Sequence, residues 1–288
     1  MHSAGSASKI KLNSFDDLFG VSDAEQIIQV ELTELYPFKN HPFRVLDDKK
    51  MEETAESIQK YGVLVPILIR QRAEGGYEII AGHRRKRGAE RAGLHCLPAI
   101  IRNYTDDEAT IIMVDSNIQR EDILPSEKAK AYSMKYEAMK HQGRKGGGST
   151  LDEVGEAAGE SGKTVQRYIW LARLTEPLLE MIDTKRLGIS QGADISFLPT
   201  EQQLWVQEIL QETKITISNA QAVKLKEYSK EGILSPEIVQ MILAEEKPKK
   251  RKYVIREEQI RKYFPDHYSS KDMERIIIQL LEEWKNRQ

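Results

Sequence analysis

The stretch AGHRRKRGAERAG, residues 81–93, places the strongest constraint on the fold because a short apolar run, YEII, comes directly before it. The order predicts a strand, a turn at Gly82, and a helix that begins with cations and ends near Gly93. Free N–H groups at a helix start favour an anion, and guanidinium groups bind phosphate oxygens in pairs. The stretch therefore predicts a phosphate site. A solvated basic helix that binds nothing is the alternative interpretation.

Composition narrows the functional class. The formal net charge of the 288 residues is -2, so any contact with nucleic acid must come from local patches. The single cysteine, Cys96, excludes an intramolecular disulfide and is typical of a reducing compartment. The first residues lack the apolar core of a signal peptide, and the longest apolar run, residues 63–69, is too short to span a bilayer. We expect a cytoplasmic protein with no membrane contact.

The first part of the chain mixes strands and helices. Residues 1–25 are expected to form a flexible tail. Asp47 is the predicted cap of a helix that Gly62 ends, and the Thr105–Glu108 capping box starts another helix at residue 106. Strands are predicted at residues 27–32, 64–70, 77–80 and 99–101.

From residue 126 onward the pattern predicts helices only. A short helix at 151–158, a glycine-containing turn at 159–162 and a second helix at 163–174 form a helix-turn-helix signature. The second helix is expected to place Val165, Ile169 and Leu171 in the core. Its candidate DNA contacts are Lys163, Thr164, Gln166 and Arg167. An ordinary αα-hairpin is the bland alternative.

The same segment contains AAGESGKT, which matches a relaxed phosphate-loop pattern. That motif needs a buried strand directly before it, and the preceding LDEVGEA is an acidic helix start. The phosphate-loop interpretation is therefore disfavoured.

A third polar cluster occurs in VDSNIQREDILP, residues 114–125. Asp115 and Asn117 offer oxygen atoms of the kind that hard metal ions prefer. A polar hinge between domains is the equally open alternative.

The C-terminal part begins with a charged linker, KPKKRK, and ends with a helix predicted at 271–284. One face of that helix carries an apolar stripe made of Met273, Ile276, Ile277, Leu280, Leu281 and Trp284. We expect the stripe to dimerise the protein, with packing on the preceding helix as the alternative.

Taken in order, the motifs of this chain resemble the ParB family of partition proteins over about residues 32–243. The similar segments are HPFR at 41–44, YGVLVPILIR at 61–70, AGHRRKRG at 81–88 and SNIQREDILP at 116–125, followed by the helix-turn-helix. Each motif alone is weak, whereas the ordered set is specific.

The resemblance implies a site for CTP with Mg²⁺, binding of a palindromic centromere-like site on double-stranded DNA, and a sliding-clamp cycle. Gly62, Val65 and Pro66 would line the cytosine side of the nucleotide site, and Arg44 would be a further nucleotide-binding residue. Gly82, His83, Arg84 and Arg85 would hold the triphosphate, with Asn117 and Arg120 at its metal and phosphate end. Asn117 and Asp115 are the metal-ligand candidates.

Two departures from the family pattern bear on catalysis. The family commonly has Glu where this chain has His83, and Glu where it has Ser116. Because a carboxylate implicated in hydrolysis is replaced, the resemblance implies nucleotide binding more strongly than turnover, and a weak CTPase activity stays open.

The predicted fold is α+β: a small mixed α/β nucleotide-binding domain at 26–122, an all-helical helix-turn-helix domain at 123–246, and a helical dimerisation segment at 247–288. The predicted function is a homodimeric, nucleoid-associated partition protein that is switched by CTP and works with a partition ATPase. A plasmid-type repressor without nucleotide dependence is the main alternative. An enzyme of the related sulfiredoxin-like fold is disfavoured, because it would need cysteine where His83 stands.

Overall fold

The computed structural model describes residues 27–120, 122–142, 150–213, 215–244, 257–265 and 267–287. The chain divides into two compact units, Met1–Glu245 and Glu246–Gln288. The predicted tail and the KPKKRK tract lie outside the described residues, as does the basic, glycine-rich segment 143–149.

The described part of the first unit contains one mixed sheet of five strands in the order β1-β5-β3-β4-β2. The strands are β1 (Ile27–Glu31), β2 (Leu35–Tyr36), β3 (Ile67–Gln71), β4 (Tyr77–Ala81) and β5 (Cys96–Ile101). The β1–β5 and β3–β4 pairs are antiparallel, and the β3–β5 and β2–β4 pairs are parallel. The predicted mixed α/β architecture is therefore confirmed.

Side chains along each strand alternate between the two faces of the sheet. Both faces carry apolar side chains, and helices cover both. Ile67 and Ile69 belong to a cluster with Ile58 of α1 (Lys49–Tyr61) and Ala89 of α2 (His83–Arg91). On the other face, Leu68 and its neighbours pack with side chains of two further helices. Those helices are α3 (Asp106–Asp115) and α4 (Pro125–His141).

Two predictions at the ends of elements were wrong. Asp48, not Asp47, caps α1: its carboxylate accepts from the N–H of Met51 at 2.9 Å. The strand predicted at 64–70 begins only at Ile67. Gly62 ends α1 as predicted, with φ 73°, a left-handed conformation that favours glycine.

The predicted helix-turn-helix is present in this unit. It consists of α5 (Thr150–Gly155), a 3₁₀ turn (Glu156–Ala158) and α6 (Gly162–Leu171). Val154, Val165 and Ile169 belong to the same buried cluster as Leu68 and Ile80 of the sheet. One hydrophobic core therefore runs from the sheet into the helix-turn-helix.

A second buried cluster holds the remaining helices of this unit and reaches α6 through Leu171. Those helices are α7 (Glu176–Asp183), α8 (Ile189–Ile195), α9 (Thr200–Thr213), α10 (Asn219–Lys230) and α11 (Pro236–Ala244).

The second unit contains α12 (Glu257–Arg261) and α13 (Ser270–Asn286) among its described residues. Ser269 and Asp272 form a capping box for α13, and Met273 is buried. The distal half of the apolar stripe is open, because Leu280, Leu281 and Trp284 are about 60% exposed.

Candidate functional site

The turn between β4 and α2 requires glycine at residue 82. Gly82 has φ 109°, which side-chain-bearing residues rarely adopt. A Cβ atom there would also lie 2.5 Å from Cγ2 of Ile67, which is a clash. The backbone of the turn is thus packed directly against the start of β3.

The N-terminus of α2 has no side-chain cap, because Gly82 stands at the capping position. Among the described residues, the N–H groups of His83 and Arg84 in the first turn have no hydrogen-bond acceptor. Free N–H groups and the helix dipole together favour an anion at this end.

His83 adds a buried donor to the same end of the helix. The N–H of Phe38 donates to Nε2 of His83 at 3.2 Å, so Nε2 is the unprotonated nitrogen and the ring proton is on Nδ1. Nδ1 is buried and has no partner among the described residues. An unsatisfied buried donor costs about 1–3 kcal/mol, so the site is suited to a bound acceptor such as a phosphate oxygen.

The ring of His41 stacks on that of His83 with centroids 3.8 Å apart. Nδ1 of His41 donates to the carbonyl of Phe43 at 2.7 Å, which leaves Nε2 as a buried acceptor without a partner in the described part of the chain. Burial, aided by the charges of His41 and Lys86, lowers the pKa of His83 to about 3. Burial also lowers the pKa of His41. Both rings are therefore neutral near pH 7.

Three of the cations in α2 are held by carboxylates of the same unit. Arg87 forms a bidentate pair with Asp47, at 3.0 and 2.6 Å. Lys86 pairs with Glu90 one turn along the helix, and Arg91 lies 3.5 Å from Asp47. Lys86 is thus paired within α2, and Arg87 and Arg91 are paired with the segment just before α1.

The two arginines nearest the turn differ from those three and from each other. Arg84 has only a long contact of 3.4 Å with Asp48, so its guanidinium keeps most of its donors free. Nη1 of Arg85 donates to the carbonyls of Val65 and Pro66, at 2.9 and 2.5 Å. Arg85 was predicted as a triphosphate ligand, and that role stays a prediction; in the structure its Nη1 is bound to the loop that leads into β3.

The two predicted metal ligands, Asp115 and Asn117, each have partners within the protein. Asp115 forms an ion pair of 2.5 Å with Lys135, whose side chain is only 4% exposed. The amide nitrogen of Asn117 donates to the carbonyl of Met113 and to the hydroxyl of Ser116. No group of three or more His, Cys, Asp or Glu residues in the described ranges is arranged to hold a metal ion. The assignment of Asp115 and Asn117 as metal ligands stays a prediction.

Arg120 and Arg44 remain candidates for an anion. The side chain of Arg120 has no hydrogen-bond or ion-pair partner among the described residues, and its charge contributes to the lowered pKa of His41. The N–H of Arg44 donates to the buried carboxylate of Glu127 at 2.8 Å, while the guanidinium has no described partner. Glu127 thus fixes the HPFR segment at the start of α4.

Sequence reasoning missed Glu127, His41, Asp48 and Lys135 as members of this site or its support. Only His41 gave a signal, because it belongs to HPFR. The others are single charged residues whose partners are 20 to more than 80 positions away in the chain.

The helix-turn-helix presents its polar face as predicted. Ser161 caps α6 by accepting from the N–H of Thr164, and Val165 and Ile169 are buried. Gly162 is required by packing, because a Cβ there would lie 2.5 Å from the carboxylate of Asp152. Lys163 and Arg167 are exposed and, within the described residues, have no ion-pair partner, whereas Thr164 and Gln166 are half-buried.

Lys135 joins the two candidate sites. From α4 it donates to Asp115, next to the motif that contains Asn117, and at 3.2 Å to the carbonyl of Val154 in α5. Gln119 also donates to the carbonyl of Ala157 at 3.0 Å. The polar motif after α3 is therefore attached directly to the first half of the helix-turn-helix.

None of the helices in the described ranges is long and apolar enough to cross a bilayer.

Comparison with known proteins agrees with this arrangement of motifs. The ParB N-terminal domain family matches residues 20–118. The probable chromosome 1-partitioning protein ParB of Deinococcus radiodurans is 34% identical over 183 residues, which are 64% of this chain and 60% of that protein. The nucleoid occlusion protein of Lysinibacillus sphaericus is 30% identical over 224 residues, which are 78% of this chain and 71% of that protein. The chain thus spans less than two thirds of the length of the Deinococcus relative.

Two solved structures of the C-terminally truncated chromosome-partitioning protein ParB from Caulobacter crescentus are also similar. The structure complexed to the centromeric parS site is 23% identical, with a TM-score of 0.42, and covers 69% of this chain and 98% of that chain. The structure complexed with CTP-gamma-S is 26% identical, with a TM-score of 0.31, and covers 59% of this chain and 92% of that chain. The sequence matches carry the assignment: this chain belongs to the ParB family.

Proposed function

We propose that this protein is a DNA-binding partition protein whose N-terminal region binds CTP and whose nucleotide state controls how it holds DNA. The family membership supports the general class. The observation that carries the nucleotide part is the uncapped N-terminus of α2 with the buried, unpaired Nδ1–H of His83 beside it. The first N–H groups of α2 and the guanidinium of Arg84, whose described carboxylate contact is a long one of 3.4 Å with Asp48, are donors of the kind that bind an anion.

Different residues would bind the two parts of the nucleotide, its phosphates and its base. The N–H groups at the start of α2, the Nδ1–H of His83 and the guanidinium of Arg84 would bind phosphate oxygens. Arg120, and Arg44 from the HPFR segment, would add positive charge. The loop from Gly62 to Pro66 would contact the base. CTP supplies the triphosphate charge that these donors need, and no step is assigned to Mg²⁺.

The DNA part rests on α6. Lys163 and Arg167 are exposed cations without described partners at the helix start, where a recognition helix meets base edges and phosphates. Gln166 and Thr164 lie on the same face and offer neutral hydrogen-bonding groups.

A direct experiment is calorimetric titration of the full chain with CTP, UTP, ATP and GTP. We expect CTP to bind at least tenfold more tightly than the other three, by about 1.4 kcal/mol or more. The DNA part of the proposal is tested with a duplex that the same protein selects from random DNA. Closed circular DNA that carries this duplex should retain the protein at high salt to a different extent with and without CTP. Binding of the selected duplex with no response to any nucleotide would favour the plasmid-type repressor instead.

We also propose that hydrolysis is slow, and the tautomer of His83 supports this. A general base needs a free lone pair within reach of the attacking water. The lone-pair nitrogen of His83, Nε2, accepts from the N–H of Phe38, and the other ring nitrogen, Nδ1, carries the proton and is buried. His83→Glu restores a carboxylate and should raise phosphate release. Turnover by the unmodified protein that equals or exceeds that of the variant would refute the proposal.

The homodimer is proposed to form through α13. Leu280, Leu281 and Trp284 are large apolar side chains that remain about 60% exposed in the single chain. A palindromic DNA site calls for a two-fold dimer. Truncation after Lys247 should give a monomer by light scattering in the absence of CTP and DNA. A truncated protein that stays dimeric would place the constitutive interface in the first unit.

A further inference from the structure

We propose that Arg85 is a positioning residue that sets selectivity for the base, and that it does not bind the triphosphate. It would do so by holding the 62–66 loop in the shape that recognises cytosine. This inference rests on the proposed CTP-binding function and reassigns one of the residues that the sequence motif gives to the phosphates.

The first step is the geometry of the guanidinium. One nitrogen, Nη1, donates to two successive carbonyls, those of Val65 and Pro66, at 2.9 and 2.5 Å. Hydrogen bonds from a charged donor are roughly twice as strong as neutral ones. Burial lowers the pKa of Arg85, in agreement with a guanidinium that is enclosed by protein. The side chain is therefore directed toward the loop.

The second step is that the loop has little else to fix it. It starts at Gly62, in a left-handed conformation, and its last residue is Pro66, which has no N–H to donate. β3 begins only at Ile67, so residues 62–66 lie outside the strand ladder. The side chains of Leu64 and Val65 are 79% and 43% exposed. Val63 packs against the core cluster that contains Ile67 and Ile69, so the two hydrogen bonds to Arg85 fix the later part of the loop, at Val65 and Pro66.

The third step links the two halves of the site. Arg85 lies in the first turn of α2, whose free N–H groups face the phosphates. Its Cζ atom would lie 3.4 Å from a Cβ at Gly82, so the guanidinium also packs on the turn. A single side chain thereby fixes the distance between the phosphate-binding helix start and the loop. A pre-formed loop binds its ligand more tightly because no ordering is needed on binding.

The proposal separates the two parts of the nucleotide, and inorganic tripolyphosphate is a probe for one part alone. Arg85→Gln should leave tripolyphosphate affinity within about twofold, because no phosphate contact is lost. The same variant should weaken CTP by about tenfold, the equivalent of one charge-assisted hydrogen bond. The ratio of CTP to UTP affinity should fall by a similar factor.

Two matched variants on the same helix make the comparison sharp. Arg84→Gln should weaken tripolyphosphate and CTP by the same factor and leave the CTP to UTP ratio unchanged. Arg87→Gln, which removes a cation that pairs with Asp47, should change none of the three affinities. Equal loss of tripolyphosphate and CTP in Arg85→Gln, with an unchanged ratio, would overturn the proposal and return Arg85 to the phosphate side.

Arg85→Lys covers the case in which Arg85→Gln does not fold, as judged by circular dichroism. An ammonium can still donate to both carbonyls, so this variant should fold and lose base selectivity only in part. Full loss of tripolyphosphate binding in Arg85→Lys would also overturn the proposal. If the unmodified chain binds tripolyphosphate but does not distinguish CTP from UTP, both this inference and the proposed function fail. If it distinguishes them and Arg85→Gln does too, only this inference fails.

Discussion

The first turns of α2 and α6 both begin with cations after a glycine, yet the two helices use those charges differently. In α2, the side chains of Lys86, Arg87 and Arg91 are paired with carboxylates, and Arg85 is bound to main-chain carbonyls. In α6, Lys163 and Arg167 are exposed and have no partner within the described ranges.

The difference shows that the density of positive charge in a motif overstates the number of charges that face a ligand. Most cations of α2 hold the protein together, and Arg84 is the side chain of that run that keeps donors free. The cations of α6 are exposed and have no ion-pair partner in the described ranges, so we expect them to contribute little to the fold. Removing charges from the two helices should therefore change different quantities.

The largest effect is expected at the ion pair between Asp115 of α3 and Lys135 of α4, which attaches the polar motif after α3 to the first helix of the helix-turn-helix. Asp115→Asn removes the carboxylate from Lys135, whose side chain is 4% exposed, and leaves a buried ammonium with one carbonyl partner. Breaking a buried pair by removing one partner costs about 3–5 kcal/mol. Urea denaturation should show a loss of about 3 kcal/mol, at the lower end because Asp115 is 19% exposed.

Asp107→Asn is the matched control for that prediction. It is the same change on the same helix, but its partner is His141, which is 66% exposed and lies 3.4 Å away. Exposed pairs contribute about 0–1 kcal/mol. If both variants lose the same stability, Lys135 does not connect the two regions energetically.

The next effect concerns ligand binding by α2. Arg84→Ala should weaken CTP by about 10–100-fold, the equivalent of about 1.5–3 kcal/mol for hydrogen bonds to a charged group. Arg87→Ala should leave CTP affinity unchanged, since its guanidinium is held by Asp47. Calorimetric titration with CTP measures the affinity of both variants. An equal loss of affinity in both would contradict the proposed difference between Arg84 and Arg87.

Acid stability gives a third, intermediate effect. The pKa of His83 is about 3 in the folded chain, whereas the pKa of an unperturbed histidine is 6.5. The unfolded chain therefore binds the extra proton first as pH falls. Stability is therefore full above pH 6.5 and is lost progressively between pH 6.5 and 3. At pH 5 the loss should be about 2 kcal/mol.

His83→Gln tests the source of that pH dependence. A glutamine oxygen can still accept from Phe38, but the side chain does not titrate. The difference in unfolding free energy between pH 7 and pH 5 should shrink by most of that amount in the variant. An unchanged difference would assign the titration to other groups, with His41 as the next candidate because burial lowers its pKa as well.

How far the sequence predicted this structure depends on how local the determinants are. The capping box at Thr105, the stop at Gly62 and the helix-turn-helix were predicted because each is encoded within a few residues. The loop before β3 was predicted as a strand, since its apolar run gives no sign that Arg85, about 20 positions later, binds its carbonyls.

Helix α8 was not predicted from the sequence, and its packing explains why. Its sequence, ISQGADI, has a central glycine and polar neighbours, so no helix was predicted there. In the structure, a Cβ at Gly192 would lie 2.7 Å from Ile182 and 2.8 Å from Leu171. The glycine is required because α8 packs closely on α6 and α7, and that reason is visible only after the chain has folded.

The smallest effects are expected on α6. Arg167→Ala and Lys163→Ala should leave the unfolding free energy unchanged within about 0.5 kcal/mol, because exposed residues without special contacts contribute little. On a specific duplex, the variant that loses a base contact should bind more weakly by about 1–3 kcal/mol and accept other bases at one position. The variant that loses a phosphate contact should bind all sequences more weakly, with a salt dependence reduced by about one ion.

Specific and random duplexes titrated at several salt concentrations would separate these outcomes. Recognition helices usually contact base edges with their N-terminal residues. If α6 does so, we expect Arg167 to show the base-specific pattern and Lys163, at the second helical position, the phosphate pattern. The reverse assignment would keep α6 at the interface and rotate it about its axis. No loss for either variant on either duplex would remove α6 from the DNA interface, and with it the contrast between cations that bind partners and cations that hold the fold.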